Sequence, residues 1–104
     1  MDVIMLAVPD CPNAAVLEQR LAEALAGRPG VTLIRQVIAD ADQATRWGMT
    51  GSPTLLVNGR DPFAVPGARP ALACRMYPGP DGSLDRSPTV DELSRALEQA
   101  GAHG

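Results

Sequence analysis

Two cysteines carry the most reactive side chains of this sequence. Cys11 lies in the stretch VPDCPNA, directly after an apolar run, and Cys74 lies much later in the stretch LACRMY. A thiolate is both a nucleophile and a soft metal ligand, so the pair offers thiol exchange or binding of a soft metal. The alternative is that each thiol simply packs in the core, where many free cysteines are found.

Cys11 is predicted to lie at the start of a helix. Pro12 suits the first helical position, because a proline there loses no hydrogen bond. The N–H groups and the dipole of a helix N-terminus favour a thiolate, whereas the neighbouring carboxylate of Asp10 opposes it. Reactive groups also collect at the carboxyl ends of strands in open α/β sheets. We therefore expect Cys11 to react rather than only to fill space.

The elements that position these cysteines follow from apolar patterns and helix caps. Short apolar or β-branched runs predict strands, and apolar positions three and four residues apart predict helices. Capping-box patterns at Asp40 and Thr89 predict where two further helices begin. The predicted strands span residues 3 to 8, 31 to 38, 54 to 58 and 72 to 77.

The predicted order β-α-β-α-β-β-α indicates one α/β domain over residues 1 to 104. The first β-α-β unit implies parallel strands with a right-handed crossover. The late pair of strands implies an antiparallel edge. We expect a single four-stranded mixed sheet with helices on both faces.

A proline directly before a predicted strand is the second feature of interest. Pro53 in the stretch GSPT is a candidate for a cis peptide bond in a tight turn, with an ordinary trans bond as the alternative. A cysteine after the first strand and a proline that opens the third occur in the order used by thioredoxin-like proteins. The chain resembles that superfamily in three stretches, VIMLAVPDCPNA, GSPTLLVNGR and TVDELSRALEQAG.

The resemblance implies a thioredoxin-like fold and a thiol–disulfide oxidoreductase. In this interpretation Cys11, with Pro12 beside it, forms a mixed disulfide with a small thiol or a protein disulfide. Ser52 offers its backbone to the substrate, and Pro53 is the cis residue. The chain departs from the Cys-x-x-Cys motif, because Ala14 stands where the second cysteine would be. The thiol must then act alone or be resolved from elsewhere.

Cys74 is the other cysteine and the candidate resolving thiol. The alternative is that Cys74 is a buried strand residue. Its neighbour Arg75 is expected to face solvent, because adjacent residues of a strand point to opposite faces.

A narrower resemblance connects Cys11 and Cys74 with alkylmercury (organomercurial) lyases. It implies a site for Hg(II) or an organomercurial, since two thiolates suit a soft metal. In those enzymes an aspartate shortly after the first cysteine supplies a proton, whereas here Asp10 precedes Cys11. A third interpretation is a non-catalytic thioredoxin-like module that binds a partner or forms a homodimer through a sheet edge.

Composition narrows the classes of function further. The 104 residues carry a net charge of -3 with scattered arginines, so we expect no nucleic-acid partner. The sequence has no membrane-length apolar run and no signal-peptide pattern, which predicts a cytoplasmic protein without a membrane partner. We find no zinc spacing, phosphate loop or Ser-His-Asp set and predict neither a resident metal nor a cofactor. His103 is expected to be a tail residue.

Overall fold

The computed structural model describes residues 1–101, which form a mixed α/β fold with three helices. His103 lies outside the described residues. In chain order the elements are β1 (Asp2–Ala7), α1 (Pro12–Leu25), β2 (Thr32–Val37), α2 (Ala41–Trp47), β3 (Thr50–Ser52), β4 (Thr54–Val57), β5 (Ala71–Cys74), β6 (Tyr77–Pro78), β7 (Leu84–Asp85) and α3 (Val90–Gln99).

The central sheet has three strands in the order β2-β1-β4. β1 runs parallel to β2 and antiparallel to β4, which confirms the predicted parallel β-α-β unit. The middle position of β1 explains its continuous apolar sequence, because both of its faces are covered. Val3 and Met5 point into one cluster of buried side chains, and Leu6 points into another on the opposite face.

Helices cover both faces of this sheet. The larger cluster combines buried side chains of β1, β4, α1 and α3, namely Val3, Met5, Ala7, Ala14, Leu17, Leu21, Ala24, Leu55, Val57, Leu93 and Leu97. The smaller cluster packs α2 and the segment after it against the other face through Leu6, Ile38, Ala44 and Met49. Among the described helices, none has the length and apolar character needed to cross a membrane.

The caps predicted for the second and third helices are present. The carboxylate of Asp40 accepts a hydrogen bond from the N–H of Gln43 at 2.9 Å. Thr89 and Glu92 form a complete capping box: the Thr89 hydroxyl accepts from the Glu92 N–H at 3.1 Å, and the Glu92 carboxylate accepts from the Thr89 N–H at 2.9 Å. These local bonds fix where α2 and α3 begin.

The predicted fourth strand does not extend the central sheet. Its residues form β5, which pairs in parallel with the short strand β3, and β6 pairs with β7 as an antiparallel hairpin. The four-stranded sheet of the prediction is thus replaced by a three-stranded sheet and two small ladders. At the end of β4 the chain reverses in a tight turn. In this turn the Val57 N–H donates to the Arg60 carbonyl at 2.7 Å. Three prolines follow in the connecting loop and cannot donate to a neighbouring strand.

The pairing of β3 with β5 depends on a glycine. A Cβ added at Gly51 would lie 2.8 Å from the Cβ of Arg75, a distance that real side chains do not tolerate. The φ of +113° at Gly51 also lies in the region that favours glycine. This close approach lets the Arg75 N–H donate to the Ser52 carbonyl at 2.9 Å.

Candidate functional site

Cys11 occupies the N-cap position of α1, and Pro12 is the first residue of the helix, as predicted. The side chain of Cys11 is half-buried against the larger core cluster. It makes no capping hydrogen bond to any residue that the structure describes. The thiol is free, so its sulfur remains available for a bond to an external partner.

Asp10 shapes the turn that leads from β1 into α1. Its φ of 57° is left-handed, a conformation that aspartate tolerates better than most residues. The side chain is exposed. The structure therefore places Asp10 at the surface directly before Cys11, with a backbone role in redirecting the chain.

The Ser52–Pro53 peptide bond is cis, as predicted, and both residues are buried. The Ser52 hydroxyl accepts a hydrogen bond from the Val8 N–H at 3.0 Å, which ties this turn to the loop that contains Cys11. The Ser52 carbonyl accepts from the Arg75 N–H, as described above, and the Pro53 carbonyl accepts from the Tyr77 hydroxyl at 2.5 Å. Both carbonyls of the turn are therefore already engaged within the chain.

Cys74 stands opposite Ser52 in the ladder between β3 and β5. Since Ser52 is also bonded to Val8, the end of β5 lies next to the chain that leaves β1. The thiol of Cys74 is exposed and free. The interpretation of Cys74 as a buried strand residue is therefore wrong.

A second contact joins the first turn of α1 to the residues that follow β5. The side-chain amide of Asn13, in the first turn of α1, donates to the sulfur of Met76 at 3.9 Å. Asn13 follows shortly after Cys11, and Met76 follows shortly after Cys74. Cys11 thus lies between two contacts. The one at Val8 ends on Ser52, which pairs with Cys74 in the ladder. The one at Asn13 ends on Met76, two residues after Cys74. These contacts tie the residues on either side of Cys11 to residues that flank Cys74 in space or in the chain.

Arg75 is the residue of this region that the sequence pattern misplaced. It was expected in solvent, but only 8% of its surface is exposed. One guanidinium nitrogen donates to the Asp61 carboxylate at 2.7 Å and to the Thr54 hydroxyl at 3.2 Å, and the other donates to the Phe63 carbonyl at 2.6 Å. β5 ends at Cys74, so the alternation of a strand no longer applies to the next residue.

Tyr77 completes this buried arrangement. The guanidinium carbon of Arg75 lies 4.5 Å from the centre of the Tyr77 ring, and the Phe63 ring meets it edge-on at 6.0 Å. Burial raises the pKa of the Tyr77 hydroxyl, while the positive charge of Arg75 acts in the opposite direction. The hydroxyl therefore stays protonated as the donor to Pro53. A lone arginine within the apolar stretch LACRMY is the one local feature that could have indicated a buried guanidinium, although it does not indicate the partners.

The described residues contain no group of three or more His, Cys, Asp or Glu side chains that could hold a metal ion. A site made of Cys11 and Cys74 would contain only two such side chains, so this absence does not bear on it. No protein-family model, curated protein or solved structure matches the chain.

Proposed function

We propose that the chain is a thioredoxin-like thiol protein that exchanges disulfides through Cys11. The observation that carries the proposal is a pair of contacts made by residues on either side of Cys11. Val8 bonds to Ser52, the ladder partner of Cys74, and Asn13 bonds to Met76, two residues after Cys74. The chain order also supports it, since a cysteine follows β1 and a proline opens β4, as the thioredoxin resemblance implies. The substrate is a small disulfide or a disulfide of another protein.

The reaction begins when the thiolate of Cys11 attacks one sulfur of the substrate disulfide. The substrate S–S bond breaks, its second sulfur leaves as a thiolate that takes up a proton, and a new S–S bond joins Cys11 to the remaining half. The thiolate of Cys74 then attacks the Cys11 sulfur and releases that half. The substrate gains two electrons and the protein loses two, and an external small thiol restores the reduced protein.

The neighbouring residues have supporting roles in this proposal. Pro12 starts the helix whose N-terminus faces the thiol, and Asp10 sets the turn before it. Ser52 pairs with Cys74 in the ladder and holds the loop through Val8. Pro53 follows Ser52 in the buried turn. A reducing compartment such as the cytoplasm suits two free cysteines.

The rate of reaction with a chromogenic aromatic disulfide tests this function. It is compared between two variants, Cys11→Ser and Cys74→Ser, each of which retains one cysteine. Cys74 is the more exposed thiol, so accessibility by itself favours faster reaction in Cys11→Ser. The proposal expects the reverse: Cys74→Ser, which retains half-buried Cys11, reacts several-fold faster at neutral pH. Faster reaction of Cys11→Ser would exclude Cys11 as the nucleophile. The double variant is the control for background release.

A second candidate function is binding of Hg(II) or an organomercurial by both thiols. The same juxtaposition of the two segments favours it, because two thiolates make a good site for a soft ion. Binding releases the two thiol protons and needs no redox step. We propose binding without cleavage of a carbon–mercury bond, since the proton donor implied by the lyase resemblance does not follow Cys11.

Titration with Hg(II) under competition from a small thiol separates this candidate from the first. We expect one tightly held ion per chain in the wild type and much weaker binding in both Cys11→Ser and Cys74→Ser. Equal affinity in the wild type and Cys74→Ser would rule out a site made of two thiols. It would leave the exchange reaction at Cys11 untouched.

A further inference from the structure

We propose that the cavity beside Tyr77 binds a small molecule with an apolar body and a protonated amine. The cavity has a volume of about 310 Å³ and lies between the loop after β4, the residues that link β5 to β6, and the first turn of α3. This volume is at the lower end of the range of small-molecule sites, about 300–1,000 Å³. The inference does not depend on either thiol.

The walls of the cavity are mainly apolar. Phe63, Tyr77 and Pro88 contribute rings, and Val65 and Met76 contribute side chains that remain 59% and 44% exposed. Large apolar side chains usually leave solvent on folding, and their exposure in a concave surface is typical of a binding site. The lining therefore suits an aromatic or aliphatic body of the size of one ring.

The charges around the cavity decide which polar group the ligand carries. Arg75 reaches the wall, but its positive charge is compensated by the carboxylate of Asp61 at 2.7 Å. Glu92 also lines the cavity and forms no ion pair with any residue between 1 and 101. The uncompensated charge of the lining is therefore negative, which favours a cationic ligand.

Two of the N–H groups at the start of α3 are already engaged within the chain. The Thr89 N–H is taken by the Glu92 carboxylate, and the Glu92 N–H is taken by the Thr89 hydroxyl. Only one oxygen of the Glu92 carboxylate is used in this capping box. A carboxylate accepts more than one hydrogen bond, so the second oxygen is able to receive the N–H of an amine.

Three probes of similar size and different charge test the proposal: phenethylamine, phenethyl alcohol and hydrocinnamate. We expect amide NMR signals of residues 63–65 and 75–78 to shift in titrations with the amine. The alcohol should bind more weakly and the acid most weakly of the three. Cys11→Ser should bind the amine as the wild type does. Equal affinity for the three probes, or the absence of shifts around the cavity, would overturn the proposal.

Substitutions at the cavity sharpen the test. Glu92→Gln preserves the capping box, because glutamine serves at that position as well as glutamate. We expect it to weaken amine binding by about tenfold, the size of one charge-assisted hydrogen bond, and to leave alcohol binding unchanged. Asp91→Asn removes the same charge from the same helical turn outside the lining, and it should bind as the wild type does. Ala64→Leu should block all three probes.

An equal loss of amine affinity in Glu92→Gln and Asp91→Asn would mean that binding depends only on the net charge of the protein. This result would contradict a site at Glu92. Undiminished binding to Ala64→Leu would place the ligand elsewhere and overturn the proposal as well. Amide spectra of each variant without ligand report whether the fold is kept.

Discussion

Two regions of this molecule are stabilised by different physical means. The apolar region is the larger core cluster, in which α1 and α3 pack on β1 and β4. The Arg75 region is the set of residues around one buried guanidinium, namely Thr54, Asp61, Phe63, Arg75 and Tyr77. The first region distributes its stability over many similar contacts. The second concentrates hydrogen bonds, an ion pair and ring contacts on a single side chain.

This difference has a consequence for the response to substitution. A leucine removed from the apolar region leaves a cavity, and its neighbours relax partly into the space. Arg75 removed from its region leaves the carboxylate of Asp61 without its cation in a place that water scarcely reaches. Among the described residues, every buried side-chain nitrogen or oxygen has a hydrogen-bond partner, so the Arg75 region has little tolerance for losing one.

The largest effect is expected for Arg75→Met. We expect a loss of about 3–5 kcal/mol in the free energy of unfolding, as for other buried ion pairs that lose one partner. Urea denaturation measures it with two natural probes, since the chain has one Trp and one Tyr. Tyr77 contacts Arg75, whereas Trp47 packs beside the smaller core cluster. In the variant, the Tyr77 signal should be lost at lower urea concentration than the Trp47 signal.

Arg69→Met is the matched control, because Arg69 is exposed in the loop before β5. Its stability should stay within about 0.5 kcal/mol of the wild type. A similarly small effect of Arg75→Met would mean that the buried guanidinium does not stabilise its region, and the contrast between the two regions would disappear.

Leu97→Ala tests the apolar region and should have the next largest effect. Leu97 is fully buried in α3, in the cluster that α3 shares with α1. We expect a loss of about 2–5 kcal/mol, with the Trp47 and Tyr77 signals changing together in urea. Leu84→Ala is the control, since 66% of Leu84 is exposed. Separate transitions in Leu97→Ala would show that the apolar region does not support the whole fold.

Tyr77→Phe should have a smaller effect that depends on pH. Loss of the hydrogen bond to the Pro53 carbonyl should cost about 1 kcal/mol at neutral pH. Burial raises the pKa of Tyr77 above its ordinary value of 10.0, so the unfolded chain ionises first. The contribution of Tyr77 is thus complete below that pH and declines as the pH rises above it. The difference in urea midpoint between wild type and variant should therefore shrink under alkaline conditions. A difference that is constant with pH would contradict this.

The smallest effect is expected for Asp85→Asn. The Arg20 guanidinium donates to the Asp85 carboxylate at 3.0 Å and lowers the pKa of this carboxyl group below its ordinary value of 3.8. Stabilisation by the ionised group is present above that pH and is lost as the pH falls. Thermal midpoints should differ slightly at neutral pH and converge in acid. Glu23→Gln, an exposed change on the same helix as Arg20, should show no such convergence.

The apolar region could be predicted from the sequence because its signals are local. The continuous run in β1, the helical spacing of leucines in α1 and the capping box of Thr89 each depend on residues close together in the chain. Parallel pairing of β1 with β2 followed from the single helix between them. β1 and β2 appear with boundaries within one residue of the prediction.

The Arg75 region could not be predicted in the same way, because its contacts join residues far apart in the chain. Nothing near Arg75 indicates that Asp61 and Thr54 surround it. The sequence of β3 does not predict a strand, because its central residue is Gly51, which has a low strand propensity. Gly51 is required instead by the close approach of Arg75. The position of Cys74 opposite Ser52 follows from that pairing. Spacing in the sequence therefore left the relation between the two cysteines open.

The central claim is that the segments with Cys11 and Cys74 form one thiol site. The most direct measurement is mass spectrometry of the protein treated with one equivalent of a small disulfide. We expect the wild type to end without bound label, with Cys11 and Cys74 joined, and Cys74→Ser to retain the label on Cys11. Stable label on either cysteine of the wild type, without a bond between Cys11 and Cys74, would contradict the claim. It would leave exchange by a single thiol, without resolution by the other, as the better interpretation.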